Sequence, residues 1–215
     1  VRVALPDKAS HVSAGTRHGC AVLAGAPWCW GDNANGQLGT GDNAESPTPV
    51  KTKDMIGVTV LSTYGNRNCA VADGVASCWG ENKRGELLGN GSVEAKEDVL
   101  APMHVNNLPK GATSVAVGGR HVCVVTSGQL WCWGENNHGE LSQNWLTTAL
   151  KAFNAKVSDG QRIASATPLK ADDITDQPLG IAAGESHACG VFTDGSLRCW
   201  GSNELGELGI QFSIV

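Results

Sequence analysis

The sequence predicts an all-β chain of the propeller type, built from four copies of one unit. Three observations predict it. The pattern Cys-Trp-Gly-x-Asn-x-x-Gly-(Gln/Glu)-Leu occurs four times, as residues 29–38, 78–87, 132–141 and 199–208. Each copy has a second cysteine upstream, at Cys20, Cys69, Cys123 and Cys189. The chain holds 28 glycines but only two methionines and three phenylalanines, a composition of tight turns and short strands. Self-similarity at such a period is the signature of a repeat architecture, so the repeat is the unit to explain.

Within each unit the cysteine pair comes first. Cys20 and Cys29 are symmetric about Ala24-Gly25, Cys69 and Cys78 about Asp73-Gly74, and Cys123 and Cys132 about Ser127-Gly128. Cys189 and Cys199 flank Thr193-Asp194-Gly195, one residue longer. Short glycine-containing dipeptides between apolar runs predict two-residue hairpins, because glycine accepts the positive φ these turns require. Flanks such as Cys123-Val124-Val125 and Leu130-Trp131-Cys132 read as strands. Cysteines facing each other across neighbouring strands lie within reach of a disulfide. The expected pairs are therefore Cys20–Cys29, Cys69–Cys78, Cys123–Cys132 and Cys189–Cys199. Zinc sites favour cysteines two to four residues apart and fit this spacing poorly. Eight reduced thiols in a cytosolic repeat is the plainer alternative. Four disulfides imply an oxidising compartment, hence an extracellular or cell-surface location.

A Gly-x-x-His segment precedes three of the first cysteines: Gly15 with His18, Gly118 with His121, and Gly184 with His187. The second copy departs, with Tyr64 and Arg67 at those positions. A proline-containing strand follows the glycine-rich turn in the first three copies, and the fourth copy stops before its own. Each unit thus reads as about four strands, which suits a propeller blade. The repeats fall at about 7–54, 55–108, 109–173 and 174–215 of a single domain, 1–215. Two polar insertions, Gly89 to Ala101 and Ser142 to Ala166, read as surface loops. The second contains a stretch from Trp145 to Phe153 that fits a short amphipathic helix. Insertions on repeat arrays often carry binding, and aromatic residues are enriched at binding hot spots, so Trp145 and Phe153 are interface candidates.

Composition excludes several classes. A net charge of −5 lacks the basic face of a nucleic-acid binder. No apolar run approaches the ~20 residues that span a bilayer. No signal peptide is legible at Val1, and the missing initiator methionine reads as a mature chain or a piece of a longer one. No catalytic constellation, metal cluster or cofactor motif stands out. The recurring histidines form either a polar ring at the centre or, as favoured here, groups that satisfy backbone inside their own blade. Asn33, Asn82, Asn136 and Asn203 are expected to bond turn backbone. Gln37, Glu86, Glu140 and Glu207 share a turn position without the ligand density calcium needs. Trp30, Trp79, Trp133 and Trp200 are expected to pack blades, with Trp28 and Trp131 on the same strand face. That use leaves little for light sensing. Asn90-Gly91-Ser92 is a candidate N-glycosylation site.

The repeated Gly-x-x-His-x-Cys…Cys-Trp-Gly-x-Asn-x-x-Gly-Gln-Leu-Gly resembles the regulator of chromosome condensation repeat over nearly the whole chain. That resemblance implies a β-propeller, usually of seven blades. Members of the family include a nuclear exchange factor for a small GTPase, a plant ultraviolet-B receptor and secreted bacterial β-lactamase inhibitors. The paired cysteines look most like the extracellular members. Four copies stand here instead of seven. Leu5 to Gly15 aligns with Leu108 to Gly118 without a gap, so Val1 to Pro6 is expected to be a closing strand, with Val1 and Val3 at an interface. It completes the C-terminal blade, completes a blade of a neighbouring chain, or marks repeats that lie elsewhere. Open blade edges favour assembly. The expected function is non-catalytic: a partner-binding or self-assembling extracellular propeller, with Asn90 as its candidate N-glycan site. Its rival is a secreted enzyme inhibitor of the β-lactamase-inhibitor kind, with a GTPase exchange factor behind.

Overall fold

The computed structural model describes residues 1–82, 87, 89, 97–142, 164–171 and 174–210. Among them are 15 strands and no helix. Blade 1 is the antiparallel sheet β1 (Ala9–Ala14), β2 (His18–Leu23), β3 (Ala26–Gly31) and β4 (Ser46–Lys51). Blade 2 follows as β5 (Val58–Tyr64), β6 (Arg67–Ala72), β7 (Val75–Gly80) and β8 (Val99–His104). Blade 3 is β9 (Ala112–Val117), β10 (His121–Thr126), β11 (Gln129–Glu135) and β12 (Ala164–Lys170). Blade 4 has three strands, β13 (Pro178–Ala183), β14 (His187–Phe192) and β15 (Leu197–Gly201). Strands neighbour one another in chain order within every sheet, so each blade is a meander.

The central hairpins follow turn chemistry. Ala24-Gly25, Asp73-Gly74 and Ser127-Gly128 all have positive φ at both positions, the geometry of a two-residue type I′ turn, whose twist matches that of the strands. In the central hairpin of blade 4 only Gly195 has positive φ, and the Phe192 amide donates to the Ser196 carbonyl across a three-residue loop. This accounts for the extra residue between Cys189 and Cys199. The hairpin register then sets Cys20 opposite Cys29, Cys69 opposite Cys78, Cys123 opposite Cys132 and Cys189 opposite Cys199. Disulfides join all four pairs, with Cα atoms 4.0–4.2 Å apart.

Every third-to-fourth strand ladder shifts register beside the motif tryptophan, between Cys29 and Gly31, Cys78 and Gly80, and Cys132 and Gly134. The fourth strands carry Pro47 and Pro49, Pro102, and Pro168. Proline is tolerated there because the fourth strand is the sheet edge, where one side of the backbone needs no ladder partner.

Blades touch through their first strands in sequence, β1 on β5, β5 on β9 and β9 on β13. The contacts form an arc, with β1 and β13 at its ends. One apolar cluster runs through blades 1, 2 and 3, and a second joins blade 3 to blade 4. Strand pairing assigns each blade two faces. The cysteines share one face with Val22, Val71, Val125 and Val191, and this face looks toward the following blade. The motif tryptophans occupy the other face and look back.

Two expectations require correction. Residues 1–6 form no strand and make no backbone hydrogen bond to a described residue. A strand exists only where a ladder holds it, and Val1 and Val3 are exposed instead. Blade 4 accordingly lacks a fourth strand among the described residues. The loops assigned to 89–101 and 142–166 are shorter than expected, since Val99 to Ala101 and Ala164 to Ala166 belong to β8 and β12. Trp145, Phe153 and Asn90 lie outside the described residues.

Candidate functional site

The repeat motif resolves into a set of local bonds, and these determine which surface is left for function. In all four copies the motif asparagine Oδ1 accepts from the amide of the leucine five residues on: Asn33 from Leu38, Asn82 from Leu87, Asn136 from Leu141, and Asn203 from Leu208, at 2.8–3.0 Å. The Gln/Glu carboxamide or carboxylate accepts the amide two residues before it: Gln37 from Asn35, Glu140 from His138, Glu207 from Leu205, each at 2.8 Å. These acids therefore hold a turn and do not converge on a common point. Among the described residues no group of three or more His, Cys, Asp or Glu is placed to hold a metal ion.

The tryptophans reach across joints. Trp79 Nε1 donates to the Gln37 carbonyl at 3.1 Å, Trp133 Nε1 to Leu87 at 3.2 Å, and Trp200 Nε1 to Glu140 at 2.9 Å. Each indole thus closes on the Gly-(Gln/Glu)-Leu turn of the blade before it. Burying an indole leaves its N–H in need of an acceptor, and the preceding turn supplies one.

The histidines are part of the same frame. His18 Nε2 bonds Asn68 Oδ1 at 2.8 Å, so it serves the next blade and not its own, a correction to the favoured sequence reading. Its own blade is stapled and complete, while the Asn68 side chain arrives from β6 and passes its amide to the Gln37 carbonyl at 2.9 Å. The imidazoles of His18, His121 and His187 lie over Gly15, Gly118 and Gly184, where any Cβ would overlap the ring. The second copy has lost both members of this pair: Tyr64 replaces the glycine and Arg67 the histidine. Arg67 Nη1 then donates to the Gly119 carbonyl at 2.8 Å. Burial pushes His121 down to about 4, with the charges of His187 and Arg67 acting in the same direction. His18 is lowered by burial too, opposed by its bond to Asn68 and by Asp32.

What remains is one end of the arc. The turn before each second strand meets the loop after each third strand through a repeated amide-to-carbonyl bond: Asp32 to Arg17, Glu81 to Asn66, Glu135 to Arg120, and Ser202 to Ser186, at 2.7–3.0 Å. Gly31, Gly80, Gly134 and Gly201 have φ of 103–106°, and a Cβ on any of them would strike the carbonyl of that turn. The backbone is constant here, but the side chains it presents are not. Blade 1 carries Arg17 and Asp32 at these positions, blade 2 Asn66 and Glu81, blade 3 Arg120 and Glu135, and blade 4 Ser186 and Ser202, with Glu135 and Ser202 buried beneath the others. Arg120 Nη1 pairs with Glu135 Oε2 at 3.2 Å. Asn66 Nδ2 donates to Asn35 Oδ1 at 3.0 Å, and Asn35 Nδ2 to Asp98 Oδ2 at 2.8 Å. Burial and the charge of Glu185 hold the Tyr64 phenol above its ordinary value. This polar, variable end was not singled out from the sequence. The signal was the changing residue between Gly and Asn in the motif.

Comparison with known proteins fits this frame. Two family models of the regulator of chromosome condensation (RCC1) repeat match, one at residues 112–140 and 180–207, the other at 25–65 and 73–125. The ultraviolet-B receptor UVR8 of Arabidopsis thaliana is 29% identical over 208 residues, covering 95% of this chain and 44% of the receptor. Yeast RCC1 (Prp20), solved bound to Kap60, superposes with a TM-score of 0.81 at 22% identity, over 98% of this chain and 47% of that one. Human WBSCR16 gives a TM-score of 0.76 at 25% identity, over 96% and 51%. The chain thus spans about half the length of these proteins. Its motif, its blades and the matching family models agree: the chain belongs to the RCC1 repeat family.

Proposed function

We propose that this chain is a non-catalytic, extracellular propeller module that binds a protein partner through the polar end of its arc. One observation carries the reading. The repeat spends its invariant residues on disulfides, turns and joints, and varies the side chains that all four blades present at one end. A rigid backbone with changing side chains is the arrangement of a recognition surface. Arg17, Asp32 and Glu185 lie on this end of the arc, and exposed charges of both signs steer a complementary partner. Solved relatives support a binding role, since yeast RCC1 is described in complex with Kap60 and by its binding to Gsp1p and histones. The four disulfides, one per blade, support an oxidising location. A place in a surface structure or filament, and an N-linked glycan at Asn90, extend the same proposal.

Two measurements test it. Alkylation of the protein in its native source, before any reductant, should modify none of the eight cysteines; rapid labelling of all of them would place the chain in a reducing compartment. The oxidised protein, immobilised, should retain a protein partner that the Arg17→Glu, Glu185→Lys double variant releases. Equal retention by both would remove the polar end from the binding site.

A further inference from the structure

The internal joints are not bridged alike. Opposite the first cysteine of each pair stand Ser13, Ser62, Ala116 and Ala182. Ser13 Oγ accepts the Thr63 amide at 3.1 Å and Ser62 Oγ the Val117 amide at 3.0 Å, each across a joint. Ala116 offers blade 4 no such acceptor. The second-strand bridges differ in the same way. His18 reaches Asn68 of blade 2, and Arg67 reaches the Gly119 carbonyl of blade 3. Blade 4 has Ala188 at the position of Asn68, and His121 Nε2 is buried with no hydrogen-bond partner among the described residues. Blade 4 is held instead by the Trp200 indole on the Glu140 carbonyl and by His138.

His138 touches an acid on either side. Its Nδ1 is 3.1 Å from Glu140 Oε1 in its own turn, and its Nε2 is 3.6 Å from Glu204 Oε1 of blade 4. Glu140 is buried, with its other oxygen taken by the His138 amide. Glu204 is 76% exposed. Glu135, at the end of β11, also acts on the imidazole and is itself paired with Arg120 at 3.2 Å. A neutral imidazole has one N–H and one lone pair. With its N–H on Glu140, the lone pair faces the Glu204 carboxylate, acceptor against acceptor. Only the imidazolium presents an N–H to both. The repeat itself matches charge at this position: Asn35 stands before Gln37, Arg84 before Glu86 and His138 before Glu140. Of these three only histidine can shed its charge near neutral pH. The fourth copy departs, with Leu205 before a half-exposed Glu207.

We infer that His138 is a proton-operated clasp between blades 3 and 4: protonated, it holds Glu140 and Glu204 together, and neutral, it releases Glu204 and lets the joint open. The bond to Glu140 raises its pKa most; burial opposes, and the charges of Glu140, Glu204 and Glu135 add to the rise. The clasp is therefore shut below the ordinary histidine value and lets go as pH rises through the raised one. The polar end spans this joint, with Arg120 and Glu135 on one side and Glu185 and Ser186 on the other. The clasp thus sets the spacing of side chains proposed to meet a partner. That last step rests on the proposed binding role; the clasp itself does not.

The test is hydrogen exchange of the Trp200 indole in the full 215-residue chain, divided by that of the Trp133 indole, from about pH 5 to well above neutrality. Trp133 closes the joint between blades 2 and 3, where the bridging Arg67 keeps its charge throughout. The ratio cancels the intrinsic effect of pH on exchange and reports local opening. It should rise roughly twofold to fivefold as His138 loses its proton, the size of an exposed ion pair. Glu204→Gln should remove the step, and so should His138→Gln. His138→Arg, which copies the second repeat, should hold the ratio at its acid value throughout. A ratio flat with pH in the unmodified chain overturns the inference, and so does a step that survives Glu204→Gln. Nitrogen NMR of the imidazole gives a readout that a purely structural role would not move. His138 should titrate at lower pH in Glu204→Gln; an unchanged titration overturns the clasp. Both measurements use no partner, so their failure removes the clasp and leaves the binding role standing, which fails separately by partner capture.

Discussion

Blade 2 and blade 4 carry the same motif and differ in what covers them. Val71 of blade 2 is 1% exposed and Val191 of blade 4 is 46% exposed, although both lie on the cysteine face of a second strand. Cys69 is fully buried and Cys189 only partly so. The difference teaches that a blade's sequence encodes two half-interfaces, and that burial arises only where a neighbour meets them. Stability in such an array is close to a sum of blade terms and nearest-neighbour terms. A residue of the motif should therefore cost much in the middle of the arc and little at its ends.

The largest contrast lies in the tryptophans. Trp133→Ala removes a fully buried ring and its bond to Leu87, and should cost about 3–5 kcal/mol. Trp30→Ala should cost less, since Trp30 stays partly exposed and donates across no joint among the described residues. Urea midpoints of the two variants check this. Equal costs would break the nearest-neighbour picture.

Disulfide removal sharpens it. Replacing Cys123 and Cys132 by alanine should cost roughly 2–4 kcal/mol, and removing Cys189 and Cys199 should cost less. The loops are almost equal, nine and ten residues, so loop entropy is shared and any gap reports the packing around each staple. Calorimetry of both double variants measures the gap. Next comes the valine pair. Val71→Ala should destabilise by about 2 kcal/mol, and Val191→Ala by less than ~0.5 kcal/mol.

The smallest effect is on pH. His121 and His138 both belong to blade 3 beside the last joint, with opposite shifts. Burial depresses His121 to about 4 in the fold. The unfolded chain takes up that proton first as pH falls, so its stabilising contribution is whole above 6.5 and is lost between there and about 4. His138 is raised, first by its bond to Glu140 and then by the nearby Glu204 and Glu135, with burial opposing. Its contribution is whole below 6.5 and fades as pH rises through the raised folded value. Groups facing His138 are Glu140, at 3.1 Å, and Glu204 of blade 4, at 3.6 Å. His138→Gln should flatten the alkaline side of the midpoint-against-pH curve and leave the acid side unchanged. His121→Asn should do the converse.

Much of the frame was legible in the residues. Cysteine spacing and the dipeptides between them gave strand register, because a two-residue turn permits only one alignment. The motif asparagine was readable as a turn group for the same local reason. Long-range contacts were hidden. His18 meets Asn68 fifty residues later, and no local pattern announces which blade an imidazole faces. The pairing of glycine with histidine was nevertheless written in the second copy, where Tyr64 and Arg67 depart together. Val1 to Pro6 misled because its alignment with residues 104–109 describes sequence, whereas a strand requires an open edge within reach. The polar end was missed because variation looks like noise until the backbone shows it gathered in one place.

All four staples close within a blade, and none joins one blade to another. The covalent map is therefore wholly local. A thiol meets its partner once nine or ten more residues have emerged, before the next unit exists to offer a wrong one. Scrambling is discouraged by order of synthesis alone. Between blades the peptide chain is the sole covalent link, so units can be duplicated, deleted or permuted without rewiring a disulfide. A lineage built this way can change its number of blades as readily as it changes a loop.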